Sequence, residues 1–163
     1  MTTSRPAGVD RRPWAVFDID GVVADPRHRV HHLNAARPDW DAFFADAGGD
    51  FPLRQGITLA RRYARDHAVL WLTGRPEKTR AATTAWLARQ GLPTDHLIMR
   101  PDDFEMAAGT LKAARLTGLA EIRRVAVVFD DDTSVVTALR AAGWPVTRAD
   151  WAPGPGAALF GPG

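Results

Sequence analysis

The chain contains no cysteine, which excludes a disulfide framework and thiolate chemistry and fits a cytoplasmic protein. It has no apolar run near the roughly 18 residues that a membrane-spanning helix needs. Residues 1–13 lack the apolar segment of a secretory leader and carry Arg5, Arg11 and Arg12 instead. Net charge is small, formally +2, so composition permits an anionic substrate without showing a nucleic-acid surface. No internal repeat is visible. What remains is 163 residues, 45% hydrophobic and 25% charged, enough for one soluble domain with a sizeable core. The expected divisions are a loose tail at 1–12, a domain at 13–152 and a Gly/Pro-rich tail at 153–163.

Four apolar segments read as strands: residues 14–18, 68–72, 97–99 and 125–129. The second, Ala68-Val69-Leu70-Trp71-Leu72, and the fourth, Val125-Ala126-Val127-Val128-Phe129, are continuously apolar, as suits strands covered on both faces. Between them, residues 53–66, 76–90, 105–117 and 133–142 have the length and composition of covering helices. Pro76 sits where a helix should start; Gly91 and Gly143 sit where helices should stop. A short last strand is expected at 144–147. The alternation predicts an α/β fold with a Rossmann-like parallel sheet flanked by helices.

In such a sheet the reactive crevice lies beyond the carboxyl ends of the strands. The first strand ends in Asp18-Ile19-Asp20-Gly21, the second in Thr73-Gly74-Arg75 and the fourth in Asp130-Asp131-Asp132. Residues two apart in a strand point to one side, so Asp18 and Asp20 are expected to line that crevice. Crowded carboxylates repel unless a cation, a proton or an arginine compensates. Asp18, Asp20, Asp130 and Asp131 offer hard oxygen donors, which suit Mg2+ with a substrate phosphate completing its shell. Asp18, at the end of a rigid strand, is the natural nucleophile, and Asp20 a general acid and base; the route passes through an aspartyl phosphate. Thr73 and the Gly74 N–H would clamp phosphoryl oxygens, or Thr73 would cap the helix expected at Pro76. Lys112, on a predicted helix, either points inward to balance charge or is solvated.

These residues resemble the haloacid dehalogenase superfamily in its phosphatase form. The four motifs are Asp18-Ile19-Asp20-Gly21-Val22, Leu72-Thr73-Gly74-Arg75, Lys112, and Phe129-Asp130-Asp131-Asp132. The resemblance runs from about residue 14 to about residue 150. It implies Asp18 as nucleophile, Asp20 as acid/base, Thr73 on phosphate and Lys112 steadying the phosphoryl group. It also implies that Asp130 and Asp131 serve Mg2+, with Asp20 reaching the metal through its backbone carbonyl. Within the superfamily, Leu72-Thr73-Gly74-Arg75-Pro76-Glu77, Trp86-Leu87 and Met99-Arg100-Pro101-Asp102 are similar to the 3′-phosphatase module of polynucleotide kinase and its stand-alone bacterial relatives. A Gly-x-x-x-x-Gly-Lys-Ser/Thr loop is missing, so the kinase half is not expected. Dehalogenase chemistry is not expected either, because those enzymes lack the second aspartate. The implied substrate is a small phosphorylated molecule, a nucleotide or a nucleic-acid end with a 3′-phosphate, with no membrane and no obligatory protein partner. Sugar phosphates, phosphoproteins and a non-catalytic phosphate-dependent interaction domain are the alternatives.

Residues 22–52 exceed what one crossover needs and are expected to form a small helical lid. Within it, Arg27, His28, Arg29, His31 and His32 either attract phosphate or face water. Trp40, Phe43 and Phe44 read as lid or core packing rather than as a platform for a base. Arg29, Arg75 and Arg100, with Gly74, are candidate substrate contacts; Arg75 and Arg100 could equally brace loops through salt bridges.

Overall fold

The computed structural model describes residues 8–103 and 105–153. Its frame is a five-stranded sheet in the order β5-β4-β1-β6-β7, with every neighbouring pair parallel. The strands are β1 (Trp14–Phe17), β4 (Ala68–Pro76), β5 (Leu97–Arg100), β6 (Val125–Asp130) and β7 (Val146–Arg148). β2 (Ala24–Asp25) and β3 (Phe51–Pro52) form a separate antiparallel pair.

The apolar strands are buried on both faces. Ala15 and Phe17 of β1 join Val69, Trp71 and Phe129 in one core, whereas Trp14 and Val16 join Leu70, Leu72 and Val128 in the other. Period-two alternation sends successive side chains to opposite layers. Helices α2 (Arg54–Tyr63) and α3 (Arg80–Arg89) cover the first core with Ile57, Ala60, Trp86 and Leu87. Helices α4 (Ala108–Ile122) and α5 (Thr133–Ala141) cover the second with Leu116, Leu119, Val135 and Leu139. The chain runs outward from β1 to β4 and β5, then returns to β6 and β7 on the other side. β1 therefore lies at the switch point, where a crevice opens beyond the strand ends.

Three expected boundaries move. β4 continues to Pro76, which pairs with Arg100 across an irregularity after Leu72; a 3-10 turn over Glu77–Thr79 then leads into α3 at Arg80. Proline disfavours the helical conformation in the residue before it, so the chain stays extended through Arg75. α4 begins three residues later than expected and runs on past Gly118 to Ile122. β7 is displaced toward Arg148. Gly91 and Gly143 do end α3 and α5, with φ of 67° and 87°.

The segment expected to form a lid is a short excursion closed at its base by β2 and β3, where Ala24 pairs with Pro52 and Asp25 with Phe51. Between them lie 3-10 turns at Arg27–Leu33 and Asp46–Gly49 and helix α1 (Trp40–Ala45). Asp39 caps α1 by accepting from the Ala42 N–H at 2.9 Å. Residues 1–7 and 154–163 of the expected tails lie outside the described residues. Just inside, Asp10 pairs with Arg12 and Arg123, and Arg12 donates to the Ala64 carbonyl. No helix among the described residues is long and apolar enough to cross a membrane.

Candidate active site

Asp18 extends β1 by one residue: its N–H donates to the Phe129 carbonyl at 2.9 Å. The chain then turns tightly, the N–H groups of Val22, Val23 and Ala24 converging on the Ile19 carbonyl. Gly21 has φ +76°, and a Cβ there would stand 1.9 Å from Asp131 Oδ2. Only glycine satisfies both the dihedral and the close approach.

Carboxylate oxygens of Asp18, Asp130 and Asp131 all lie within 4.8 Å of one another. Lys112 reaches into this group from α4, with Nζ 3.1 Å from Asp18 Oδ2 and 2.5 Å from Asp130 Oδ2. Asp130 is also fixed through Oδ1, which accepts from the Asp132 N–H at 3.0 Å. Burial pushes the Asp18 carboxyl well up, with Asp130 and Asp131 adding and Lys112 opposing. Asp131 is pushed up to about 6 by burial and then by Asp130. Burial works against the Lys112 ammonium, but Asp18 and Asp130 hold its pKa above the ordinary lysine value. With all three carboxylates ionised, one ammonium would leave two negative charges uncompensated, which is why burial and mutual repulsion raise the pKa of Asp18 and Asp131. A divalent cation with a preference for hard oxygen donors fits that deficit.

The Asp20 carboxylate belongs to a different cluster. Its Oδ1 accepts from Arg29 Nη2 at 2.6 Å and from Arg75 Nη2 at 2.7 Å. Behind the two guanidiniums lies Asp50, which accepts from Arg29 Nε and Arg75 Nη2, both at 2.8 Å. Asp50 also sits 2.8 Å from His28 Nε2, and its carbonyl accepts from Trp86 Nε1. Arg29 and Arg75 are buried, so they survive in the interior only because carboxylates surround them. Burial opposes ionisation of Asp20, yet Arg75 and then Arg29 lower its pKa below the usual carboxylate value.

The sequence-predicted residues thus fall into three groups. Asp18, Asp130, Asp131 and Lys112 come together. Thr73 and Gly74 line a cavity with Lys112 and Arg100; Thr73 Oγ1 accepts from the Arg75 N–H at 3.1 Å and does not cap α3. Arg100 Nε donates to the Gly74 carbonyl. Arg29 and Arg75, candidate substrate contacts, pair with Asp20 and Asp50; for Arg75 this is the salt-bridge alternative. The Asp20 side chain is drawn to the arginines and stands outside the Asp18–Asp130–Asp131 group, which leaves its backbone carbonyl as the group expected to face a metal. Asp50 escaped the sequence reading because it lies in no motif. Lys112 had an unused signal: it is one of only two lysines in the chain, the other being Lys78. A second group of potential ligands, His31, His32 and Asp46, lies on the lid surface, with His32 Nε2 2.6 Å from Asp46.

Among solved structures, the chain is similar to one in the Pnkp1/Rnl/Hen1 RNA repair complex, with a TM-score of 0.66 and 23% identity over 88% of this chain and 45% of that one. It is similar to the class C acid phosphatase of Bacillus anthracis, with a TM-score of 0.60 and 17% identity, covering 83% and 63% of the two chains. A haloacid dehalogenase-like hydrolase of Streptococcus pneumoniae matches at a TM-score of 0.52 and 12% identity, covering 83% of each chain. These likenesses place the fold in the haloacid dehalogenase class. The model of the polynucleotide kinase PNKP phosphatase domain matches residues 13–151. The chain belongs to that family and is a haloacid dehalogenase-type phosphatase. It spans less than half the length of its neighbour in the RNA repair complex. No functionally curated protein gives a significant match.

Proposed function

We propose that this phosphatase is a magnesium-dependent phosphomonoesterase that works through an aspartyl phosphate on a nucleotide or polynucleotide 3′-phosphate. The observation that carries the reading is the meeting of Asp18, Asp130 and Asp131 around Lys112. Asp18, Asp130 and Asp131 would hold Mg2+, which when bound offsets their charge and that of the transferring phosphoryl oxygens.

The chain's own groups supply the remainder. An Asp18 carboxylate oxygen attacks phosphorus as the bond from phosphorus to the ester oxygen breaks. Lys112 steadies the charge on Asp18 and on the phosphoryl group, while the Thr73 hydroxyl and the Gly74 N–H orient its oxygens. Asp20 gives its proton to the departing alcohol. It then removes a proton from water, which attacks the phosphorus of the acyl phosphate, releases inorganic phosphate and restores Asp18. The ion pairs to Arg29 and Arg75 favour the ionised form of Asp20, the form that starts the hydrolytic half of the cycle. The polynucleotide substrate is supported by the family and by a lid too small to close the site.

Asp18→Asn should abolish phosphate release from p-nitrophenyl phosphate and from 3′-phosphorylated oligonucleotides while leaving the thermal melt intact. Complete chelation of divalent metal should do the same, reversibly. Full turnover in either case rules out the mechanism.

A further inference from the structure

The cavity beside Thr73 and Gly74 has a volume of about 610 Å3, within the roughly 300–1,000 Å3 typical of small-molecule sites. Thr73, Gly74 and Lys112 form its phosphate end. The walls are apolar: Ile98 and Met99 come from β5 and Leu111 from α4. Trp40 and Phe44 of the lid complete it. A phosphate group gains nothing from apolar walls. A cavity of this kind, opening onto a phosphate clamp, suits a phosphate ester whose alcohol carries a flat apolar body.

The two lid aromatics are arranged for such a body. Trp40 and Phe44 stand four residues apart on α1, hence on one face of the helix. Their rings lie 26° from parallel with centroids 6.0 Å apart. Phe43 does the internal packing of the lid: it is 8% exposed, and the Arg29 guanidinium sits 4.1 Å from its ring centroid. Trp40 is 55% exposed, so the lid does not need its indole as a core residue. α1 is moored by an ion pair from Asp41 to Lys78, whose N–H donates to Asp102. The lid aromatics are thereby tied to the segments that follow β4 and β5. Apart from Lys112, which is paired with Asp18 and Asp130, the charged groups lining the cavity are Arg100, Arg115 and Glu105.

We propose that this cavity is a nucleobase subsite, in which the base of the 3′-terminal nucleotide stacks on Trp40 and Phe44 while Arg100 and Arg115 face the adjoining phosphodiester. This rests on the phosphomonoesterase reading above and names the leaving group for that site. Stacking of one base on an aromatic side chain corresponds to about a 5- to 150-fold gain in affinity.

The test compares kcat/KM for two 3′-phosphorylated oligonucleotides, one ending in a normal nucleotide and one in a tetrahydrofuran abasic residue. The wild-type enzyme should prefer the base-bearing end about tenfold or more. Trp40→Ala should bring that ratio close to one, and Trp40→Phe should keep most of it. The change should appear chiefly in KM. An unchanged ratio in Trp40→Ala overturns the subsite while leaving nucleic-acid 3′-phosphatase activity standing. Turnover of glycerol phosphate without turnover of either oligonucleotide overturns the subsite and the nucleic-acid substrate together, but not the phosphoryl chemistry. A phosphotyrosyl peptide preferred over both strands, with a preference lost in Trp40→Ala, overturns the nucleobase assignment in favour of a phenyl ring.

Discussion

Asp131 lies directly over the backbone of Gly21, its Oδ2 1.9 Å from where a Cβ would be. The turn after β1 and the start of the loop after β6 are thereby packed without room for a methyl group. Gly21→Ala must either displace the Asp131 carboxylate or abandon φ +76°. The expected result is a loss of about 1 kcal/mol or more in stability. Metal-dependent turnover should fall at least tenfold, because the oxygen cluster is displaced. Thermal melts and metal titrations of activity check this; wild-type metal dependence in the variant contradicts it.

Lys112 is the one ammonium that Asp18 and Asp130 share. Lys112→Met leaves those carboxylates facing each other without it, and breaking a buried pair of this kind costs about 3–5 kcal/mol. Turnover should fall by about 100-fold or more, the scale seen when a charge-stabilising donor is removed. Added Mg2+ should recover part of the stability but little of the turnover. Denaturant melts with and without Mg2+, read beside steady-state rates, separate the two effects.

Asp50 offers a prediction about pH. Its negative charge stands behind Arg29 and Arg75 and competes with Asp20 for them. Asp50→Asn removes that competition, so both guanidiniums act more fully on Asp20 and its pKa falls further. A general acid is lost as pH rises through its pKa, so the basic limb of the kcat profile should move to lower pH. The shift should be largest for esters with poor leaving groups, where proton donation limits the rate. An unmoved basic limb contradicts the coupling. Asp50→Ala, which also removes the lid contacts, should cost about 3 kcal/mol or more in stability.

The layered fold and the acidic strand ends were legible because each depends on local signals. Continuous apolar runs identify strands buried on both faces, and Asp18, Thr73 and Asp130 follow those runs at once. Asp50 was not legible. Its role arises only when the lid folds back and presents it to two arginines that are 21 and 25 residues away along the chain. Arg29 and Arg75 were only half legible for the same reason: the sequence left Arg75 open between substrate and a salt bridge and Arg29 between phosphate and water, and the carboxylates that pair with both are joined only by the fold. The β2–β3 pair was hidden because two-residue strands carry no periodicity. The extension of β4 through Pro76 shows a tertiary effect overriding a helix-start signal, since pairing with Arg100 keeps the proline in the sheet.

The central placement of β1 has a consequence for assembly. Phe17 pairs with Trp71 on one side and with Phe129 on the other. The strand that leads into Asp18 leaves the ribosome well before β6, its second hydrogen-bonded neighbour. Until β6 emerges, one edge of β1 is an open template for a wrong partner. Such long-range parallel pairing is slow to form. The nucleophile's geometry therefore cannot form before β6 has been made, and a truncation before β6 should yield insoluble protein rather than a weak enzyme.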